Sequence, residues 1–238
     1  MLLHMGRAYR QEPALPSANL DVMDLPRGLV TSVIVTLLLA PGAAQAQEPD
    51  ASRPPRASGP LVSLSQGCED DGPPESGSFS VQSCWWTYDL VPAESDIDED
   101  FMVHWQQMEL QTTGRTCARA IHFQLTVPAG YRIVSTAPAV GRARVRDGQA
   151  LVALEVDGDG AAPIAGAIEQ DVLYGPGRIT VNTTGRRFVG KWHGNHRGKV
   201  MVAFGVQIAR PAVGDLIASW SLYEGWEIGT CGPRNVTT

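Results

Sequence analysis

The chain has 238 residues, of which 43% are hydrophobic and 18% are charged. This composition supplies a hydrophobic core and excludes an intrinsically disordered protein. The formal net charge is −6, with 25 acidic against 19 basic residues, and the basic residues do not gather on one recognisable face. We therefore predict no nucleic-acid partner.

Residues 23–46 have the order of a secretory signal peptide. Arg27 precedes an apolar run over residues 29–40, and Ala44-Gln45-Ala46 matches an A-x-A cleavage site. The run is shorter than the roughly 20 residues that cross a bilayer. We expect cleavage after Ala46 and no stable membrane span afterwards. A retained anchor is the alternative.

The segments around the signal set the predicted domain boundaries. Residues 1–22 are interpreted as an extension upstream of a true start at Met23, because an export signal should begin a chain; a real N-terminal extension in the cytosol is the alternative. Residues 47–60 are polar and rich in proline, which predicts a disordered linker. Residues 61–238 are the secreted domain, extracellular or periplasmic, and its first part, 61–77, is predicted to be a loop.

All four cysteines follow the signal, and an exported chain reaches an oxidising compartment where disulfides form. Four cysteines allow three pairings. We favour Cys68 with Cys84, which closes a short loop, and Cys117 with Cys231, which ties the C-terminal tail to a middle strand. No Cys-x-x-Cys or Cys/His spacing indicates a structural zinc site.

From residue 79 onward the pattern is typical of β-strands. Apolar residues alternate with other residues over 121–127 and 200–208, a period of two that places one apolar row on one face of a strand. Residues 142–146 and 150–156 flank Asp147-Gly148-Gln149, which predicts a hairpin. Further strands are predicted at 79–91, 101–111, 168–174, 178–183, 188–192 and 216–228. Many short strands and little helix predict an all-β chain, a single immunoglobulin-like or jelly-roll-like β-sandwich.

One segment resembles a known family. Residues 123–138, with the sequence FQLTVPAGYRIVSTAP, show a strand, a Pro-x-Gly turn and a second strand. This segment resembles bacterial extracellular immunoglobulin-like repeat modules, which are typically stalks and adhesive units of surface proteins. The resemblance implies a β-sandwich fold more than it implies a function.

The most distinctive segment is 186–199, which holds five basic residues, two histidines and one tryptophan. We predict that it forms a hairpin with an exposed tip. Arginine side chains bind anionic glycans or phosphates through their paired donors, while Trp192 would stack on a sugar face. The cationic candidates for ligand contact are Arg186, Arg187, Lys191 and Arg197. A solvated basic turn with a packed tryptophan is the alternative.

Six tryptophans are many for a domain of this size. Trp85 and Trp86 are adjacent, so on a strand their side chains point to opposite faces and at most one belongs naturally to the core. The other is a candidate stacking platform for a sugar ring. Packing in the core is the alternative for most of the tryptophans.

His193 and His196 are candidate metal ligands, with another histidine or a carboxylate completing the site. A catalytic zinc site usually takes three protein ligands, and only these two histidines are close in sequence. Surrounding glycines exclude the helix of a metalloprotease motif. No cofactor is predicted.

These patterns predict a secreted, non-enzymatic module that binds a glycan or an extracellular protein. One alternative is an extracellular hydrolase that uses a metal or a pair of carboxylates. Its candidate carboxylates are Glu109, Glu155, Glu224 and Glu227. The other alternative is a structural protein that assembles through an exposed sheet edge.

Overall fold

The computed structural model of the protein describes residues 6–10, 48–71, 77–90, 99–139, 141–146, 148–156, 166–211 and 220–232. Over these residues the chain forms strands and no helix, which confirms the all-β prediction. The described residues accordingly contain no helix that could span a membrane. The predicted signal peptide, 23–46, lies outside them.

Fourteen strands follow one another along the chain. They are β1 (Gly6–Arg10), β2 (Arg56–Ser58), β3 (Leu61–Asp71), β4 (Phe79–Leu90), β5 (Glu99–Thr112), β6 (Thr116–Thr126), β7 (Arg132–Ala137), β8 (Gly141–Val145), β9 (Gly148–Val156), β10 (Gly166–Tyr174), β11 (Gly177–Thr184), β12 (Arg187–His196), β13 (Lys199–Pro211) and β14 (Ser221–Thr230). The strands form three antiparallel sheets: β1-β14-β6-β12-β11-β8, β3-β4-β5-β13-β7 and β2-β10-β9. The first strand, within the predicted upstream extension, pairs with β14.

The five-stranded sheet is the middle of three layers. In its inner strands β5 and β13, every residue of 101–108 and of 200–209 is buried, so both faces of these strands are covered. On one face, the ring of Phe204 lies 4.7 Å from that of Phe123 and 5.2 Å from that of Phe188, both in the six-stranded sheet. On the other face, Leu154 of the three-stranded sheet packs near Gly205. Most residues of these strands are apolar because neither face meets water.

A chain of buried polar side chains joins the six-stranded sheet to the middle sheet. Ser83 Oγ and Gln106 Nε2 donate to Glu224 Oε1 at 2.7 and 2.8 Å. Gln106 Oε1 lies 3.1 Å from His104 Nε2. Because an amide oxygen can only accept, the imidazole nitrogen is the donor of this hydrogen bond. Thr87 Oγ1 lies 3.5 Å from His104 Nδ1. Buried polar groups need such partners, because burial without them costs several kcal/mol, roughly.

Both predicted disulfides are confirmed, Cys68–Cys84 and Cys117–Cys231. The loop predicted for residues 61–77 is wrong over residues 61–71, which form strand β3 with Cys68 directly opposite Cys84 on β4. Residues 72–76 of that loop lie outside the described residues. Pairing along β4 and the cross-strand disulfide hold this segment, which is rich in polar residues, in extended form. The second disulfide joins β6 to the residue that follows β14.

Two other segments differ from expectation. The segment predicted to be a disordered linker contacts the domain at several points, although most of its residues are exposed: Ala51 is fully buried, Asp50 O accepts from Gln107 Nε2 at 3.3 Å, and β2 pairs with β10. The predicted hairpin of 142–156 is also not formed, since β8 pairs with β11 and β9 with β10. Burying the apolar row of β9 against the middle sheet separates the two strands.

We predict that the free energy of unfolding falls as the pH decreases from about 6.5 towards 4. Burial lowers the pKa of His104 from 6.5 to about 4, so over this interval the unfolded chain takes up a proton that the folded protein excludes. The loss reaches about 3 kcal/mol at the lower end. Urea unfolding of the native protein and of His104→Gln at several pH values measures it. An equal pH dependence in both proteins would contradict the prediction.

Candidate functional site

The outer face of the six-stranded sheet is built from alternate residues of β6, β12 and β14. On β6 and β12, Ile121, Phe123 and Trp192 are buried towards the middle sheet. Successive side chains of a strand point to opposite faces, so His122 and Lys191 point outward. Alternate residues of the same strands therefore form the core on one side and the outer face on the other.

Strand register arranges the outward positions into rows of direct neighbours. One row consists of Val189, Gln124 and Tyr223, and the next consists of Lys191, His122 and Gly225. Together with Glu227, these residues are called the outer-face patch below. They come from three strands that are distant in sequence, so no local sequence motif predicts this patch.

An ionic network occupies the centre of the outer-face patch. Glu227 Oε1 lies 2.6 Å from His122 Nε2 and 3.2 Å from Lys191 Nζ. Ala120, the direct neighbour of Glu227 on β6, has only a methyl group, which leaves room for the carboxylate to reach Lys191 on β12. The hydrogen bond with His122, followed by that with Lys191, lowers the pKa of Glu227. The carboxylate is therefore ionised at neutral pH.

Tyr223 supplies the aromatic surface of the patch. Its side chain is 36% exposed, and its hydroxyl would lie 3.0 Å from a Cβ placed on Gly225. Because Gly225 has no side chain, the phenol lies along β14 over the backbone instead of standing away from the sheet. A ring held in this way beside polar groups suits stacking on a sugar. Sequence analysis did not single out Tyr223; its alternation with Leu222 and Glu224 was the available signal.

The predicted tryptophans do not belong to the patch. Trp192 is 0% exposed, and its Nε1 donates to Gly175 O at 3.1 Å. Trp86 is also buried, so neither ring offers a face to a ligand in this structure. Trp85 is half-buried, and its ring lies over Gly67 in the edge strand β3 of the middle sheet.

The predicted basic hairpin is a single strand with a turn at each end. Strand β12 has ten residues and extends about 30 Å, with Arg186 before it and Arg197 after it. These two residues therefore cannot contact one small ligand together. Arg187 lies at the first end of β12, and Lys191, in its middle, joins the outer-face patch.

The predicted metal ligands, His193 and His196, lie at the C-terminal end of strand β12. His193 is exposed, His196 is half-buried, and the register with β6 shifts between them. Within the described part of the chain, no group of three or more His, Cys, Asp or Glu side chains could hold a metal ion. The two histidines therefore have no described third ligand.

The four glutamates considered for hydrolysis lie in different parts of the fold. Glu224 is buried between two sheets, whereas Glu227 is on the outer face of the same strand. Glu109 pairs with Lys199 at 2.9 Å, and Glu155 is exposed on β9. The described residues thus assemble no carboxylate pair across a groove from these four.

A separate, concave surface lies on the three-stranded sheet. An open cleft of about 330 Å³ runs between residues 48–56 and strands β9 and β10. Its charged lining residues are Glu48, Asp50, Arg53, Arg56, Glu169 and Asp171. Arg56 and Asp171 pair at 3.8 Å in exposed positions, and no aromatic ring lines the cleft. It therefore lacks the stacking surface that the outer-face patch has.

Comparisons with known proteins assign no family to this chain. The sequence matches no protein-family model, and no curated protein matches it. Among solved structures, the Clostridium perfringens NetB toxin in its membrane-inserted form is similar with a TM-score of 0.32 and 6% identity, over 73% of this chain and 94% of that one. This TM-score carries no argument about fold or function. The resemblance of residues 123–138 to immunoglobulin-like repeats stays a prediction.

We predict that Glu227 titrates below the usual glutamate range, and that His122→Asn raises its pKa more than Lys191→Met does. The reason is that the hydrogen bond with His122 is the largest cause of the lowered pKa. Carbon-13 NMR of the side-chain carboxyl across a pH titration measures both effects, with Thr180→Ala as a control on the same face. A pKa of Glu227 unchanged by His122→Asn would contradict the geometry.

Proposed function

We propose that this protein is a secreted, non-enzymatic module that binds a glycan through the outer-face patch. The observation that carries the proposal is the half-exposed ring of Tyr223 beside the His122–Glu227–Lys191 network on an open sheet face. A sugar has an apolar face of C–H groups and a rim of hydroxyls. The patch offers a partner for each.

The network is suited to bind hydroxyls because its own geometry is already fixed. Glu227 accepts from two side chains, so ligand binding does not have to order these groups anew, and preorganisation lowers the cost of association. Hydrogen bonds that involve an ionised group are also stronger than neutral ones. Val189, exposed in the same row as Tyr223, extends the apolar surface.

Two observations support the secreted location. Both disulfides are formed, as in proteins of oxidising compartments, and residues 23–46 have the order of a signal peptide.

A protein partner is the second candidate. Val62 and Leu64 are exposed on β3, which lies at the edge of the middle sheet. An edge strand with apolar side chains can pair with another chain or with a second copy. This surface is separate from the outer-face patch, so variants distinguish the two.

We predict that the disulfide-bonded protein is retained on immobilised polysaccharides, and that Tyr223→Ala weakens retention about tenfold or more, as for a central aromatic contact. Tyr223→Phe should keep most of the affinity, because the ring and not the hydroxyl stacks. Leu151→Ala, an exposed apolar residue of the three-stranded sheet, is the control, and melting temperatures verify folding.

Two results would overturn the glycan proposal. One is no retention on any neutral or anionic polysaccharide. The other is full retention by a folded Tyr223→Ala variant. If Leu64→Glu instead abolishes a concentration-dependent change in size, the β3 edge is the functional surface.

A further inference from the structure

A third row of outward side chains crosses the same sheet next to the outer-face patch. Arg178 on β11 lies directly opposite Arg144 on β8 and directly opposite His193 on β12. All three residues are exposed. The register therefore places two guanidinium groups and an imidazole side by side across three strands.

The cationic end of this row has no acceptor of its own. Glu227 lies at the other end of the same row, two strands from His193, and its carboxylate is already paired with Lys191. Within the part of the chain that the structure describes, the side chains of Arg144, Arg178 and His193 make no hydrogen bond or ion pair. Side chains directly opposite each other in antiparallel strands have Cβ atoms about 5 Å apart, and like charges there destabilise the sheet. In the neighbouring row, by contrast, Lys191 is neutralised by Glu227. Three adjacent nitrogen-rich side chains without an acceptor form a site for an anion.

We propose that the Arg144–Arg178–His193 row binds an anionic group, a sulfate, phosphate or carboxylate, that the bound glycan carries. The ligand class is then an anionic polysaccharide. This inference rests on the proposed function, since the row lies beside the patch that holds the sugar ring. Each guanidinium presents a planar pair of donors that matches such oxyanions, which a lysine does not.

The spacing allows one ligand to meet both surfaces. Tyr223 lies two rows from His193 along the strands, about 14 Å, and two strands across, about 10 Å, a span that several sugar units of one chain can cover. A polysaccharide that crosses the strands can place a sugar on Tyr223 and a charged substituent on the row. The anion would be held by the row while the patch recognises the ring.

The overall charge favours a glycan over a nucleic acid. The chain carries a net charge of −6, and a nucleic acid has a phosphate at every residue, so beyond the row it would meet a protein of its own sign. A glycan with separated anionic substituents needs only a short cationic row. Nucleic-acid binding is therefore an outcome that the test must detect.

The test compares dextran sulfate, polygalacturonate and neutral dextran as probes for the disulfide-bonded protein. We expect the native protein to bind at least one anionic probe more tightly than neutral dextran. The double variant Arg144→Gln/Arg178→Gln should lose about a hundredfold in affinity for that probe, roughly tenfold for each charged contact removed, and should show a weaker salt dependence. Binding of neutral dextran, where it occurs, should not change.

Arg115→Gln is the matched control, because Arg115 is exposed in the turn between β5 and β6 and its replacement removes the same charge elsewhere. Equal losses from Arg115→Gln and Arg178→Gln would overturn the inference in favour of non-specific attraction. Tighter binding of single-stranded DNA than of both anionic glycans would also overturn it. If Tyr223→Ala abolishes binding but the double variant does not, the anion row is wrong and the proposed function stands; retention of no probe refutes both.

Discussion

Strands β5 and β13 have to be covered on both faces, and the rest of the architecture follows from that. Most of their buried residues are apolar on both faces, and exposing either face to water would forfeit much of the hydrophobic free energy of folding. Phe204 packs on the six-stranded sheet and Leu154 packs near Gly205 from the three-stranded sheet. Above and below these two inner strands, only the outer faces of the flanking sheets are left for solvent. The outer-face patch lies on one of those faces.

The buried network connects that interior to the proposed site. Glu224 on β14 accepts hydrogen bonds from Ser83 and Gln106 of the middle sheet, which fixes the inward side of β14. Because side chains alternate, a slip of one residue would turn every side chain of the strand to the other face. The same contacts that hold Glu224 inside therefore hold Tyr223 and Glu227 outside.

The sequence predicted local features better than the site. Alternation located β6 and β13, and cysteine pairing was correct. Strand β3 was missed because its Gly, Ser and Asp residues have low strand propensity, and only pairing with β4 makes it a strand. Trp192 was placed on the surface because its neighbours are basic, although its alternation with Phe188 and Gly190 indicates the core. His122, Lys191 and Glu227 meet only through the register of three distant strands, which no local pattern specifies.

The most direct test of the account is NMR mapping of the bound glycan on the folded protein. Amide and side-chain shifts are recorded while the most strongly retained soluble oligosaccharide is titrated in. The account predicts that the largest changes cluster on β6, β12 and β14 around His122, Lys191 and Tyr223. Changes confined to the cleft of residues 48–56, or to the β3 edge, with the outer face unaffected, would contradict it.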